Sequence, residues 1–502
     1  MVLDISLFRS PDTLAIVRKS HSQRYGIDED IDDIICHDNE VRTLTFSISK
    51  HAQLENIIKR IVGIRIKATK KEKNENKNEN KNIHDGYEDL TFNSEKKDKH
   101  YVCEDTLLSE ELINNIPNLE KTLLEKLSIN ELIKVSETCR NKRLNLTDLF
   151  NLHENTRTTL LYKIGNILHE SVPFGPNDDS NIICYTSNIT NDTNTNGSTN
   201  ILPHYELIKM IDGVDTKVGC KIAGNRGYYL KGPCVYLAQA LQQFALSLLD
   251  EKDFVAIQTP YFMNEDVMAK VAQLTQFDEE LYKVVCTNDD DNTNTTKYLI
   301  ATSEQPLTAL HAGEKISIHK LPIKYAGTST CFRKEAGRHG KDASGIFRVH
   351  QFEKIEQFII CSSENGESWR QLETMLQNST NMLDMLNIPY RIVNIASGEL
   401  NLAAAKKYDI EGLFPSNNTY RELVSCSNCT DYHSRNLNIK HTSKTERDGC
   451  YVHMLNSTMC AVTRMICIIL ENYQSDKGII VPLSLRKYMP KRYCELIPYM
   501  CV

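Results

Sequence analysis

A chain of 502 residues, 40% apolar and 25% charged, is long enough for two or three domains and apolar enough to bury a core. Its net charge of −7 excludes a wholesale basic nucleic-acid coat, so any RNA contact must come from a local patch. No apolar run approaches the ~18–20 residues that span a bilayer, and Asp4 spoils a targeting peptide, so the 16 Cys read as reduced thiols in a cytoplasmic protein without a membrane partner.

In chain order, Leu54, Ile57, Ile58, Ile61, Ile64 and Ile66 recur mostly every three or four residues. After a polar interruption Leu123, Leu124, Leu127, Leu132 and Ile133 do the same, followed by Leu149, Leu152, Leu160, Leu161, Ile164, Ile167 and Leu168. Two helical stretches joined by a tip predict an antiparallel helical hairpin of coiled-coil type. Periodicity alone also allows an ordinary helical bundle packed on the main domain, and Gly63 weakens the first helix. Over 50–82, ten Lys and Arg stand against four Glu, a local excess of six positive charges, and Arg140, Lys142 and Arg143 add to it on the returning helix. Most charge runs are solvated faces, but this excess on a projecting element suits phosphate contact, which is salt-sensitive and sequence-poor.

Three polar tracts, 71–82, 186–200 and 288–296, lack a periodic apolar face and are expected as loops or disorder. The third sits between the strand-like runs 283–286 and 297–300, as a hairpin insertion would. The expected division is an N-terminal domain 1–185 with a disordered tip over about 71–100, a linker 186–200, and a second domain 201–502. In that second domain, amphipathic helices over 236–249, 368–386 and 461–471 alternate with strands over 254–257, 352–361 and 390–395. An α+β fold is therefore expected, a mostly antiparallel sheet flanked by helices. The sequence has no G-x-x-x-x-G-K-S/T and no G-x-G-x-x-G after a strand, the two commonest nucleotide motifs of parallel sheets.

Three segments carry chemistry. Phe332-Arg333-Lys334-Glu335 precedes a loop rich in Gly, Arg, Lys and His, and Phe347-Arg348-Val349-His350-Gln351-Phe352 follows it. Arg333 and Glu335, two apart, are expected on one strand face, either as a structural ion pair or, given the basic loop, facing a polyanion. Thr302-Ser303-Glu304 reads as a helix cap ahead of Pro306. Tyr420-Arg421-Glu422-Leu423-Val424-Ser425 is the third, joined by the run from Val452 to Arg464, in which an unpaired Arg464 within an apolar helix would be costly. Cys426-x-x-Cys429 lacks a second pair, so no zinc is expected.

Phe332-Arg333-Lys334-Glu335 resembles motif 2 of the class II aminoacyl-tRNA synthetases, Pro260 resembles the motif 1 proline, and the stretch ending at Arg464 resembles motif 3. Thr302-Ser303-Glu304, Cys426-Ser427-Asn428 and Glu471-Asn472-Tyr473-Gln474 together are similar to the seryl-tRNA synthetases of eukaryotic cytosolic type. The resemblance covers nearly the whole chain outside the three polar tracts. It implies ligation of L-serine to serine tRNA through a seryl-adenylate, with ATP and Mg²⁺, by a homodimer that contacts neither DNA nor membrane. By resemblance Arg333, Glu335 and Arg464 are catalytic, and Thr302, Ser303, Glu304, Arg333, Glu356, Asn456 and Thr458 bind serine. ATP falls to Arg333, Lys334, Glu335, Val349, His350, Gln351, Phe352, Glu422, Leu423, Val424, Ser425 and Arg464, with Phe352 and Arg464 sandwiching adenine and Glu422 and Ser425 holding Mg²⁺. Lys59, Arg60, Arg65 and Arg140 on the hairpin, and Arg338, His339 and Lys341 on the motif 2 loop, are the tRNA candidates. The glycines usual before the motif 3 arginine are replaced by 458–463, a substitution the eukaryotic serine enzymes share. Two other readings remain: a non-catalytic RNA-binding paralogue, and an enzyme for another small amino acid.

Overall fold

The computed structural model describes residues 3–77, 124–189, 201–273, 279–287, 294–335, 344–443 and 448–500. Two compact units result: 32–159, and 1–31 together with 160–502. This division does not coincide with the expected boundary at 185–201, because the residues just before it form a strand of the main sheet.

After α1 (Pro11–Gln23), the first unit is built on α2 (Asp28–Lys77) and α3 (Ile129–Leu161). Leu54, Ile58 and Ile61 pack with Leu124, Leu132, Val135 and Cys139. The helices run antiparallel, since Asp38 meets Arg157 at 2.7 Å while Glu55 meets Arg143 at 2.7 Å. Ile57, Ile64 and Ile66, expected in the apolar stripe, are exposed. The buried set (Val41, Leu44, His51, Leu54, Ile58, Ile61) keeps the alternating three-and-four spacing that returns side chains to one seam. Helix α2 passes through Gly63 unbroken, and it also takes in 71–77, expected as loop. Lys and Glu are good helix formers, and extending an existing helix is far easier than nucleating one. The remainder of the expected tip lies outside the described residues.

The main sheet comprises β1 (Ile182–Thr186), β2 (Val255–Gln258), β3 (Ile323–Phe332), β4 (Gln351–Cys361), β5 (Tyr390–Asn394), β6 (Lys406–Phe414), β7 (Thr419–Asn428) and β8 (His453–Ala461). Their order is β1-β5-β6-β7-β8-β4-β3-β2, antiparallel throughout except for the parallel pair β2 and β3. The helices α4 (Gly232–Asp250), α5 (Glu304–Ala309), α6 (Glu367–Met385), α7 (Tyr432–Leu437) and α8 (Val462–Asn472) accompany it. The α+β expectation holds. A small hairpin pairs Lys283–Thr287 with Asn294–Leu299, so 294–296 are strand rather than loop, and Thr186 likewise belongs to β1. Composition hid these because ladder bonds to a partner strand outweigh weak β-propensity.

Strand alternation decides what faces the site. Ile355 and Ile359 of β4, and Leu455 and Met459 of β8, join the core formed with Leu241, Phe244, Met375, Ile466 and Ile469 of the helices. Lys354, Glu356, Asn456 and Thr458 lie at the intervening positions and line a cavity on the opposite face. One face of the sheet therefore carries the main apolar core, and the other carries the polar cavity beside a second apolar cluster that includes Phe358, Ile360 and Met454.

One buried pair anchors α8. The Glu471 carboxylate accepts from the His204 backbone N–H (2.9 Å), sits 2.8 Å from its Nδ1, and accepts from the Ser416 N–H (3.1 Å). Burial would lower the imidazole's pKa, but the neighbouring Cys467 and Glu471 outweigh it and His204 is pushed up to about 9. A raised histidine contributes stability that is full below its unfolded value of about 6.5 and lost as pH rises through 9. At about 1.4 kcal/mol per unit, the pair contributes on the order of 3–4 kcal/mol when fully present. Melting temperatures followed from neutral to alkaline pH are expected to drop across this window, and Glu471→Gln is expected to flatten the drop; equal slopes in both proteins would refute the pairing.

Candidate active site

A cavity of about 390 Å³ opens over β4, β7 and β8 and is closed by α5 and α7. Its wall includes Thr302, Glu304, Arg333, Glu335, Val349, Phe352, Glu356, Glu422, Leu423, Ser425, Asn456, Thr458 and Arg464, thirteen of the residues expected from sequence. Five expected residues do not line it. Ser303 is wholly buried behind the wall, where its side chain crowds Gly327, and Val424 turns into the helix-side core. His350 and Gln351 line a separate hollow with Tyr228 and Tyr282, and Lys334 is not in the wall, its backbone N–H bonding the Glu280 carbonyl. Alternation along β4 turns Gln351 to the face opposite Phe352, while His350, just before the strand, is held by its Nδ1 2.8 Å from the Arg333 carbonyl. The tRNA candidates Arg338, His339 and Lys341 lie outside the described residues.

Arg333 and Glu335 do not owe their position to a strand face, because β3 ends at Phe332. Glu335 has φ +50°, a left-handed turn that costs a non-glycine residue energy and re-aims the chain. Its carboxylate lies 3.2 Å from Arg348, which the motif contains but to which sequence reasoning gave no role, and 3.8 Å from Arg226, which sequence reasoning missed. Arg333 bonds the Ala301 carbonyl at 3.4 Å and places its guanidinium 5.4 Å from the Phe352 ring centre. Arg464 stands 5.0 Å over Phe347, donates to the Glu422 carbonyl at 3.0 Å and lies 3.4 Å from its carboxylate. It is therefore not the unpaired arginine that the apolar helix would forbid.

Glu422 and Ser425 are three apart, a spacing that would point them to opposite faces of a regular strand. A bulge removes the conflict: Ile410 pairs Val424 and Glu411 pairs Glu422, leaving Leu423 as the extra residue. Burial opposes charge on Glu422, but Arg464, Lys407 and Arg333 outweigh it and hold the carboxyl down at about 2. Asp409 faces Ser425 across the ladder, with Lys407 3.2 Å from one oxygen, while the other, Oδ1, is buried without a hydrogen bond among the described residues. An orphaned carboxylate oxygen beside Glu422 and Ser425 makes a hard, all-oxygen donor set of the kind Mg²⁺ takes. Asp409 could not be found from sequence, because its partnership with Ser425 exists only through pairing of distant strands.

At the other end Glu304 is capped by Thr302, whose Oγ1 accepts from the Glu304 N–H at 3.2 Å. Asn456 donates to the Glu304 carboxylate at 2.8 Å, and Glu356 lies 2.5 Å from the buried Lys354 ammonium. Desolvation first, then the Glu356 charge, push Glu304 up to about 7, against the pull of Lys354 and Arg333. Cys429 and His433 place ligand atoms within 4.8 Å of the Glu304 carboxylate. Cys426 turns away, its thiol toward the Leu372 carbonyl, so the C-x-x-C spacing does not converge. This end of the cavity has excess carboxylate and wants a cation.

A family model of the tRNA synthetase class II core domain (G, H, P, S and T) matches residues 282–473. The sheet and cavity are thus those of a class II synthetase core. Over its whole length the chain is 42% identical to the serine–tRNA ligases named as cytoplasmic from Cricetulus griseus and Homo sapiens, covering 92% of each. The crystal structure of the cytoplasmic serine–tRNA ligase of Naegleria fowleri in complex with AMP superimposes with a TM-score of 0.81 at 38% identity, all of both chains being covered. The seryl-tRNA synthetase of Pyrococcus horikoshii complexed with ATP gives 0.75 at 31%, covering 99% of this chain and 100% of that one. The chain belongs to the seryl-tRNA synthetase family.

Proposed function

We propose that this protein ligates L-serine to serine tRNA in two steps, working in the cytoplasm like the relatives so named. The carrying observation is one cavity that joins a phosphate-seeking end (Arg333, Arg464, Glu422, Ser425) to a cation-seeking end (Glu304, Glu356). In the first step a serine carboxylate oxygen bonds to the α-phosphorus of ATP, the bond to the β-phosphate oxygen breaks, and pyrophosphate leaves. In the second the terminal ribose hydroxyl of the tRNA attacks the seryl carbonyl, and AMP leaves.

Arg333 stabilises the charge gathering between carboxylate and α-phosphate, a task for its planar fork of donors. Phe352 stacks on adenine, with Arg464 over the opposite face and Glu335 accepting from the exocyclic amine. Mg²⁺, held by Glu422 and Ser425 with Asp409 beside them, would neutralise phosphate charge. Glu304 takes the serine ammonium, and Asn456, Thr458 and Glu356 read the hydroxyl. A site built for a hydroxyl rejects alanine by up to roughly 10⁴-fold, because its polar groups are left unpaired. No zinc takes part in this chemistry.

The unit 32–159 is the tRNA arm within the N-terminal portion 1–185, and 201–502 supplies catalysis. Lys59, Arg60 and Arg140 are exposed and free to meet phosphate. Arg65 has another job, donating to the Leu127 and Glu125 carbonyls and so tying α2 to the segment that leads into α3. The exposed edge strand β2, with Val255 59% exposed and Phe262 51% exposed nearby, is the proposed homodimer surface.

Serine-dependent exchange of labelled pyrophosphate into ATP tests the reading. Exchange with serine alone, and not with alanine, threonine or proline, is expected. Neutralising Lys59, Arg60 and Arg140 together is expected to weaken tRNA charging at least tenfold at low salt and less at high salt, where phosphate contacts contribute less, with exchange unchanged. Absence of serine-dependent exchange would overturn the proposal.

A further inference from the structure

Away from the catalytic cavity, three ligating side chains from separate segments converge. Glu364 follows β4, His441 lies on the short strand Lys440–His441, and Cys450 lies on Cys450–Tyr451. The two short strands pair antiparallel with His441 directly opposite Cys450, which sets those side chains side by side on one face. The carboxylate oxygen, imidazole nitrogen and thiol sulfur all lie within 4.8 Å of one another.

Each ligand is already oriented. The His441 Nδ1–H donates to the Thr442 carbonyl at 2.9 Å, which fixes the tautomer and leaves the lone pair on Nε2. That lone pair belongs to a ring with 0% exposure, and its nearest partners are the Ser363 and Ser362 hydroxyls at 3.3 and 3.5 Å, long for an O–H···N bond. The Ser443 hydroxyl donates to one Glu364 oxygen at 2.9 Å, leaving the other oxygen to ligate. Gly449, φ +79°, brings Cys450 in, because a Cβ there would lie 2.3 Å from the His441 carbonyl.

We propose that Glu364, His441 and Cys450 bind one Zn²⁺, with water in the fourth position, and that the metal pins the His441–Cys450 ribbon to the end of β4. The donor set of thiolate, imidazole and carboxylate suits zinc rather than a hard alkaline-earth ion. Bonds of about 2.0–2.3 Å place tetrahedral ligand atoms ~3.5 Å apart, so closure takes ~1 Å of side-chain movement. Binding converts the Cys450 thiol to a zinc thiolate and releases its proton to solvent. The lone pair Cys426-x-x-Cys429, set aside on sequence grounds, plays no part.

The test uses the full-length enzyme, titrated with Zn²⁺ for stoichiometry and stability and with Co²⁺ for its thiolate charge-transfer absorbance. One metal per chain, a thiolate band and a zinc-dependent rise in melting temperature are expected. Cys450→Ser removes the band and the rise, and Glu364→Gln weakens affinity by about tenfold or more, both with serine-dependent exchange unchanged. His433→Gln, which dismantles the Glu304–Cys429–His433 grouping in the catalytic cavity, leaves the band in place. A band that is absent, that survives in Cys450→Ser, or that disappears in His433→Gln overturns the assignment.

Discussion

Arg333→Ala is expected to depress serine-dependent pyrophosphate exchange by about 10³-fold, with the melting temperature nearly unchanged. The two halves of that expectation have separate grounds. Removing a single preorganised donor to a developing charge costs about 2.7–4 kcal/mol, roughly 10²–10³ in rate, and arginine supplies more than one such donor. The fold should hardly notice, because Arg333 lies beyond the end of β3 and its own contacts are slight: a 3.4 Å bond to the Ala301 carbonyl and the 5.4 Å approach to Phe352. Arg333→Lys keeps the charge but loses the fork, and should recover only part of the rate. Exchange in the alanine variant at more than a tenth of the parent would remove Arg333 from the reaction.

The fold was legible where one local period governs it. The apolar runs that became β4 and α8 could be read directly, because a strand with one greasy face and a helix packed on it announce themselves in spacing. Polar segments that order themselves on a neighbour could not: 71–77 extends a helix already formed, and 294–296 pairs with 285–287. At the site, motifs carried Arg333, Glu335 and Arg464, yet strand logic would have sent Glu422 and Ser425 to opposite faces, and the bulge at Leu423 reconciles them. Asp409 and Arg226 were invisible and Arg348 was present in a motif without a role, since each acquires its meaning from a partner on another element. Arg65 shows the converse: a basic residue in a basic run reads as a phosphate contact until its hydrogen bonds to Leu127 and Glu125 are known.

Glu304→Gln is expected to raise the serine KM by about 10²–10³-fold while ATP binding is retained, because truncating one partner of a buried charge pair costs ~2–5 kcal/mol. The charge matters more than the shape here, since glutamine keeps the volume and an oxygen for the Asn456 amide now 2.8 Å away. The same residue carries a pH signature. Desolvation, reinforced by Glu356, pushes its carboxyl up to about 7, so free enzyme holds it partly protonated near neutrality. Only the carboxylate attracts the serine ammonium, which keeps its charge through this range. Binding is therefore full above about 7 and lost as pH falls through it, and kcat/KM for serine should decline about tenfold per unit on the acid side. In the glutamine variant nothing at that position titrates, and this acid limb should disappear along with the affinity. Exchange measured at subsaturating serine across neutral and mildly acidic pH separates the two proteins. An unchanged acid limb in Glu304→Gln would assign the titration elsewhere, and an unchanged KM would deny Glu304 the ammonium.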